Sequence, residues 1–297
     1  MKSWRFIPYE EFDGAMNMAI DEAILEAHLA GMVPPTVRLY GWAPPAVTIG
    51  YAQKMTPDVV QRINEEGFEV VRRPTGGRAV LHLNELTYSF VGTSADPSGE
   101  DPCMVPSVVP SMDPSVAYPH KSAGFLKPSI LGAYKQICQG LILALQQLGV
   151  NTELGESDSS YRQLQDCFLA TTTADLHYHG KKMVGSAQAR RGNGVLQHGS
   201  ILLRQEQDLM DRLLTGGDTT VKAKSLQRHA NLFDILGKQV AYDDIQDAIR
   251  RGFEQAFDCS MQQSSLCAAE LEHARQLRER YVVDGSKHER CVTSPLV

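Results

Sequence analysis

Two runs of β-formers, Met183–Arg191 and Val195–Leu203, flank Gly192-Asn193-Gly194. A connection this short, built of residues that tolerate positive φ, predicts an antiparallel hairpin. The rest of the chain mixes strands with helices. Helical spacing marks 12–29, where Met16, Ala19, Ile20, Ala23, Ile24 and Ala27 share one face, beginning at Asp13 or Gly14. Short aromatic and β-branched runs at 37–42 and 46–51, separated by Pro44-Pro45, read as strands, as do 68–73 and 86–91. Thr56 as N-cap and Pro57 at the first helical position predict a short helix over 57–66. Further helices are expected at 129–148, 209–214, 242–257 and 268–281, the third carrying the stripe Ile245, Ile249, Phe253 and Phe257. This pattern predicts an α+β fold, a mixed, largely antiparallel sheet packed with helices, and not a doubly wound parallel sheet.

The segment from Ser94 to Ser129 stands apart. It holds seven of the fifteen prolines, so it can carry neither a long helix nor a central strand and reads as a long loop or insertion. No internal repeat is found. With 297 residues the chain can bury a sizeable core, and it divides into a catalytic unit at 1–255, with 94–129 inserted, and a helical tail at 256–297. A formal net charge of -6 provides no global basic field for nucleic acid. No apolar run is long enough to span a bilayer and no secretory signal opens the chain, so a cytoplasmic protein away from membranes is expected. The six cysteines lack any Cys-x-x-Cys pair, which argues for reduced thiols and against a zinc site.

The chemistry concentrates in two stretches. The first is Arg72-Arg-Pro-Thr-Gly-Gly-Arg-Ala-Val-Leu-His82, where a strand runs into consecutive glycines. Gly76 and Gly77 let the backbone approach a ligand, and free amides there can hold an anion. Arg72, Arg73, Arg78 and His82 strengthen that reading, although each arginine alone reads as a solvated strand edge. The second stretch runs from Cys167 to Ser200. Cys167 lies fifteen residues before Lys182, and an ammonium near a thiol favours the nucleophilic thiolate. The bland reading is a small buried cysteine, and it covers the other five, which fall in helices, tail or loop. His198, in Gln197-His-Gly-Ser200, is a candidate substrate contact. His177 and His179 alternate as two metal ligands would, but two ligands do not make a site, and a surface strand or turn is the simpler reading.

Together these stretches, with Glu85-Leu-Thr-Tyr-Ser89 and Gly180-Lys-Lys-Met-Val-Gly-Ser-Ala-Gln188, resemble the biotin/lipoate protein ligase superfamily over about residues 12 to 255. Cys167-Phe168 ahead of the lysine motif makes the chain most similar to octanoyltransferases of the LipM type. The resemblance implies the catalytic-domain fold of that superfamily. It also implies transfer of octanoate from acyl carrier protein, through a cysteine thioester, to a lysine of a lipoyl domain of 2-oxoacid dehydrogenases or of glycine cleavage H protein. It assigns the nucleophile to Cys167 and the thiol-activating lysine to Lys182, in preference to Lys181. Substrate binding falls to Arg72, Arg73, Gly76, Gly77, Arg78, Ala79, Val80, His82, Gly185, Ser186 and His198. It implies no metal and no cofactor. ATP and magnesium enter only under the alternative of a lipoate-protein ligase; an octanoyl amidotransferase between carrier domains is a further alternative, and a non-catalytic acyl- or biotinoyl-binding protein another. Leu83 departs from the aspartate that often follows the motif histidine, which leaves no acidic role at that position.

Overall fold

The computed structural model describes residues 2–95, 124–155, 175–204, 207–215 and 229–283. Its frame is an eight-stranded sheet. At its centre, β6 (Glu85–Thr93) pairs antiparallel with β2 (Thr36–Trp42) and with β10 (Gly194–Leu202). Outward from β10 come β9 (Lys181–Arg191), β8 (Leu176–Tyr178) and β7 (Glu153–Leu154), all antiparallel. Outward from β2 come β1 (Lys2–Phe12) and β11 (Cys259–Gln263), both parallel to their neighbours. A second sheet joins β3 (Ala46–Ile49) in parallel to β4 (Glu69–Arg72) and antiparallel to β5 (Val80–His82). The fold is thus α+β with a mixed, largely antiparallel sheet, as the hairpin predicts. Arg191 already pairs with Gly194, so the hairpin loop proper is Gly192-Asn193, with Gly192 at φ 57°.

The strands at the sheet's near edge were not legible. In β1 the run Lys2-Ser-Trp-Arg-Phe-Ile-Pro-Tyr has no clean alternation, and its pairing with β2 slips between Ile7 and Glu10, around Pro8. Cys259, in the tail segment, opens the strand β11, and Ser94 to Gly124 bracket a stretch of the Pro-rich segment outside the described residues.

One face of the large sheet carries α3 (Ile130–Gln147) and α6 (Tyr242–Phe257). They approach closely because both contacts are glycines. A Cβ on Gly252 would lie 2.4 Å from the Gly140 carbonyl oxygen, and one on Gly140 would lie 2.9 Å from the Phe253 ring. Below them Trp4, Phe90, Phe125, Phe253 and Phe257 form a continuous ring cluster, with centroid separations from 4.6 to 6.3 Å. Each such side chain stabilises the fold by roughly 1.5–3 kcal/mol when fully buried. The opposite face carries α1 (Gly14–Leu29), capped by Asp13, which accepts a hydrogen bond from the Met16 amide. Against α1 packs α7 (Ala268–Leu277), and Glu270 at its start forms a two-pronged pair with Arg5 of β1 at 3.0 and 2.6 Å. The small sheet packs with α2 (Pro57–Glu65) and α4 (Gln207–Thr215) around Val47, Ile49, Val60 and Ile63. The remaining helix is α5 (Leu232–Leu236). No described helix is long and apolar enough to cross a membrane.

Candidate active site

The small sheet sits beside the α1 face of the large sheet, and a cleft lies between them. Its empty volume is about 360 Å³, part of it open to solvent. Met18 of α1, Tyr40 and Trp42 of β2, Val80 of β5 and Ala187 of β9 give it a largely apolar lining. Thr48, Arg73, His82, Thr87, His198 and Ser200 add polar groups, and Gly185, Ser186 and Gly199 complete it. A mostly apolar wall with a few fixed polar groups is the usual character of a small-molecule site.

One buried network supports the cleft from α1. Arg38 is 1% exposed and donates to Asp21 at 2.9 Å, while Tyr40 and Ser89 donate to the same carboxylate at 2.9 and 2.8 Å. His198 Nδ1 lies 3.3 Å from Asp21, and its Nε2 lies 2.7 Å from the Thr75 hydroxyl. Burial works to raise the Asp21 carboxyl, but the hydrogen bonds from His198 and Ser89 and the charge of Arg38 outweigh it and hold it below the usual carboxylate range. An ionised Asp21 can only accept, so Nδ1 donates to it. In the neutral ring Nε2 then accepts from Thr75. This ties the glycine loop that follows Thr75 to the sheet.

A second network forms the wall nearest β5. Trp42 stacks on His82 with ring centroids 3.8 Å apart. His82 contacts Glu85 at 3.0 Å through Nδ1 and Thr48 at 2.9 Å through Nε2, and Arg73 reaches the same threonine hydroxyl at 3.1 Å. Burial pushes the His82 imidazole down, more than Glu85 pulls it up. Arg73 also donates to the carbonyls of Gly76 and Arg78 at 2.9 and 2.7 Å, so it shapes the glycine loop from within.

Lys182 owes its position to a strand irregularity. Leu176 of β8 faces Val184 and His177 faces Lys182, so Met183 is an additional residue in β9. Regular alternation would put Lys182 on the face of Val184, which packs in the core under α3. The additional residue turns it to the opposite face, the one that Ala187 and His198 share. Lys182 is 2% exposed, and its Nζ lies 3.0 Å from Asp175. Lys181 is exposed.

Among the residues expected at the site, Arg73, Val80, His82, Gly185, Ser186 and His198 come together as cleft lining. Arg73 is 5% exposed and lines the cleft, so it is not a solvated strand edge. Arg72 lies outside the lining and holds the carbonyls of Gly50, Tyr51 and Gln53. Gly76 is exposed at the loop, Gly77 has φ 102°, Arg78 is half-buried, and Ala79 packs in the core of the small sheet. Cys167 lies outside the described residues. Among the described residues no group of three or more metal-type ligands occurs, at His177 and His179 or elsewhere. Sequence reasoning did not single out Asp21, Arg38, Thr75, Asp175 or Trp42. The available signal was polarity out of place: Asn17, Asp21 and Glu22 are buried polar residues in a largely apolar helix.

Comparisons with known proteins show what the chain as a whole is similar to. The family described as the lipoyl protein ligase A/B catalytic domain matches residues 13–102 and 113–254. Octanoyltransferase LipM of Carboxydothermus hydrogenoformans is 36% identical, with 95% of this chain and 97% of that protein covered. The enzyme of the same description from Kyrpidia tusciae is 34% identical over 96% and 98% of the two chains. Among solved structures, lipoate-protein ligase A bound with ATP superposes with a TM-score of 0.69 at 23% identity, covering 97% of both chains.

Proposed function

We infer, from the premise that this chain belongs to the lipoyl protein ligase A/B catalytic-domain family, a two-step acyl transfer. The protein is an octanoyltransferase of lipoate biosynthesis. In the reading we propose, the Cys167 thiolate attacks the thioester carbonyl of octanoyl-acyl carrier protein. The new C–S bond forms and the carrier's thiolate leaves. The neutral amine of an acceptor lysine then attacks the acyl-cysteine, an amide forms, Cys167 departs as thiolate and the amine proton passes to solvent. The first exchange is thioester for thioester and nearly isoenergetic, so neither ATP nor a metal is required. The acceptors in this reading are lipoyl domains or glycine cleavage H protein, and the reaction takes place in the cytoplasm.

The single observation that carries the reading is the buried Lys182, held against Asp175 at the start of β9, the strand whose Gly185, Ser186 and Ala187 line the apolar cleft. A fixed ammonium beside the reacting sulfur favours its thiolate in attack and in departure. The octanoyl chain occupies the cleft between Met18, Tyr40, Trp42 and Val80, gaining roughly 0.8 kcal/mol per buried methylene. Backbone amides of the Gly76-Gly77 loop or near Gly185 stabilise the tetrahedral oxyanion.

The test is Cys167→Ala assayed with two donors. Octanoyl-acyl carrier protein without ATP is expected to give no acceptor modification with the variant and full modification with the wild type. Modification by the variant from free octanoate plus ATP would instead identify a ligase.

A further inference from the structure

We propose that Tyr40 is a specificity-determining residue, a fixed end wall of the cleft that stops the acyl chain and so selects octanoyl over longer groups. The proposal rests on the reading above, in which the acyl chain occupies the cleft. Pairing across the large sheet puts Tyr40 of β2, Thr87 of β6, Ser200 of β10 and Gly185 of β9 in one row. All four line the cleft, so its floor runs across the strands from β2 to β9. The two ends of this row differ. Tyr40 is 0% exposed, and Met18 of α1, packed in the same cluster, is 1% exposed. At the other end Gly185 has no side chain, and Gly185, Ala187 and Gly199 are half-buried. The floor is therefore closed at β2 and open at β9, the strand that begins with Lys181 and the buried Lys182. An acyl chain enters over β9 with its methyl end toward Tyr40.

The dimensions suit eight carbons. Three strand spacings of about 4.8 Å separate β2 from β9, about 14 Å in all. With C–C bonds of about 1.5 Å an extended chain advances about 1.3 Å per carbon, so an octanoyl group measures about 9 Å between its terminal carbons. With a contact of about 4 Å between the methyl group and the end wall, its carbonyl carbon reaches β9. Two further methylenes add about 2.5 Å, so a decanoyl group must displace the wall or present its carbonyl out of place. The wall is held against displacement. Tyr40 donates its hydroxyl to Asp21 at 2.9 Å, and the Arg38 guanidinium lies 4.0 Å from its ring centroid. Trp42, with its ring 5.7 Å away, is itself fixed by its 2.8 Å bond to Thr87 and its stack on His82. A ring tied at its hydroxyl and at its face cannot turn aside without breaking the buried network. Asp21 and Arg38 are in this arrangement positioning residues for the wall.

The experiment offers the full-length protein an equal mixture of octanoyl-, decanoyl- and dodecanoyl-acyl carrier protein, with a lipoyl domain and no nucleotide, and reads the acyl mass on the acceptor. Wild type should transfer octanoyl at least about tenfold over decanoyl. Tyr40→Leu shortens the wall and should lower that ratio at least about tenfold, the value of burying two more methylenes. Tyr40→Phe keeps the ring and should keep the ratio within about twofold. Ala187→Leu narrows the open end, which every chain passes, so it should slow all three donors and leave the ratio within about twofold. If Tyr40→Leu does not fold, Met18→Ala carries the test, with the ratio expected to fall at least about threefold. An unchanged ratio in folded Tyr40→Leu or Met18→Ala overturns the proposal. So does a ratio relaxed by Tyr40→Phe as far as by Tyr40→Leu, a length preference that shifts in Ala187→Leu, or a wild type that transfers all three groups equally. A wild type that modifies no acceptor without ATP refutes the two-step reading itself, whereas transfer with an unchanged ratio refutes only the end wall.

Discussion

Both faces of the large sheet bury an apolar cluster, but the α1 face adds a network of buried charged groups to it. Beneath α3 and α6 lie Phe90, Ile137, Leu141 and Phe253, all within 0% exposure. Beneath α1, at equal depth, lie Asn17, Asp21, Arg38, Ser89 and His198, each hydrogen-bonded to at least one of the others. The alternation of β10 shows the contrast in a single strand, with His198 and Ser200 toward the cleft and Val195 and Ile201 in the apolar core. Burying charge costs free energy that burying phenylalanine does not, so a buried network such as Arg38, Asp21 and His198 is a costly feature of the α1 face.

If this division holds, substitutions on the polar face should alter rate, and those on the apolar face should alter stability alone. The largest effect is expected for Lys182→Met, about 10³-fold in octanoyl transfer from carrier protein, measured under saturating acceptor. A loss of less than about tenfold would remove Lys182 from the mechanism. Next, Phe253→Ala should cost about 3–5 kcal/mol in urea unfolding, with the transfer rate of the folded fraction changed less than about twofold. Asp21→Asn lies between the two classes. It leaves the Arg38 guanidinium buried without its counter-charge and should cost about 3 kcal/mol while also lowering the rate.

The polar face should also show in acid. The Asp21 carboxyl is depressed in the folded state, so its contribution is present above the unfolded value near pH 4 and is lost as pH falls through the lower folded value. Asp21→Asn should therefore flatten the loss of stability below about pH 4. Burial, which works against the Asp21 depression, itself depresses His28, His82 and His177 and so favours their neutral forms. Their contribution is present above about pH 6.5 and declines below it, by up to about 1.4 kcal/mol per pH unit for each proton taken up on unfolding. Equilibrium unfolding of His82→Gln should show a shallower slope between about pH 6.5 and about pH 5 than wild type. The smallest effect is expected for Trp42→Phe, which removes the 2.8 Å hydrogen bond to Thr87 and should cost about 1 kcal/mol.

How much of this was legible in the sequence follows the same division. The apolar face was readable, because α3 and α6 announce themselves by spacing and the hairpin of β9 and β10 by its glycines. The glycine loop and His198 were readable as motif. The supporting charges were not, because Asp21 and Arg38 meet only through the tertiary fold, seventeen residues apart in sequence and 2.9 Å apart in space. Helical spacing counted the apolar residues of α1 and gave no weight to the polar ones among them. The orientation of Lys182 depended on one additional residue in β9, and strand alternation read from the sequence assigns it the wrong face. The edge strands β1 and β11 were hidden for a related reason: β1 is interrupted by Pro8, and β11 is short and polar.

The measurement that tests the account most directly is intact-protein mass spectrometry of the wild type mixed with octanoyl-acyl carrier protein and no nucleotide. The account predicts one octanoyl adduct, mapping to Cys167, that disappears as an added lipoyl domain gains the same mass. An enzyme that stays unmodified, and modifies the lipoyl domain only once ATP and free octanoate are supplied, would contradict it.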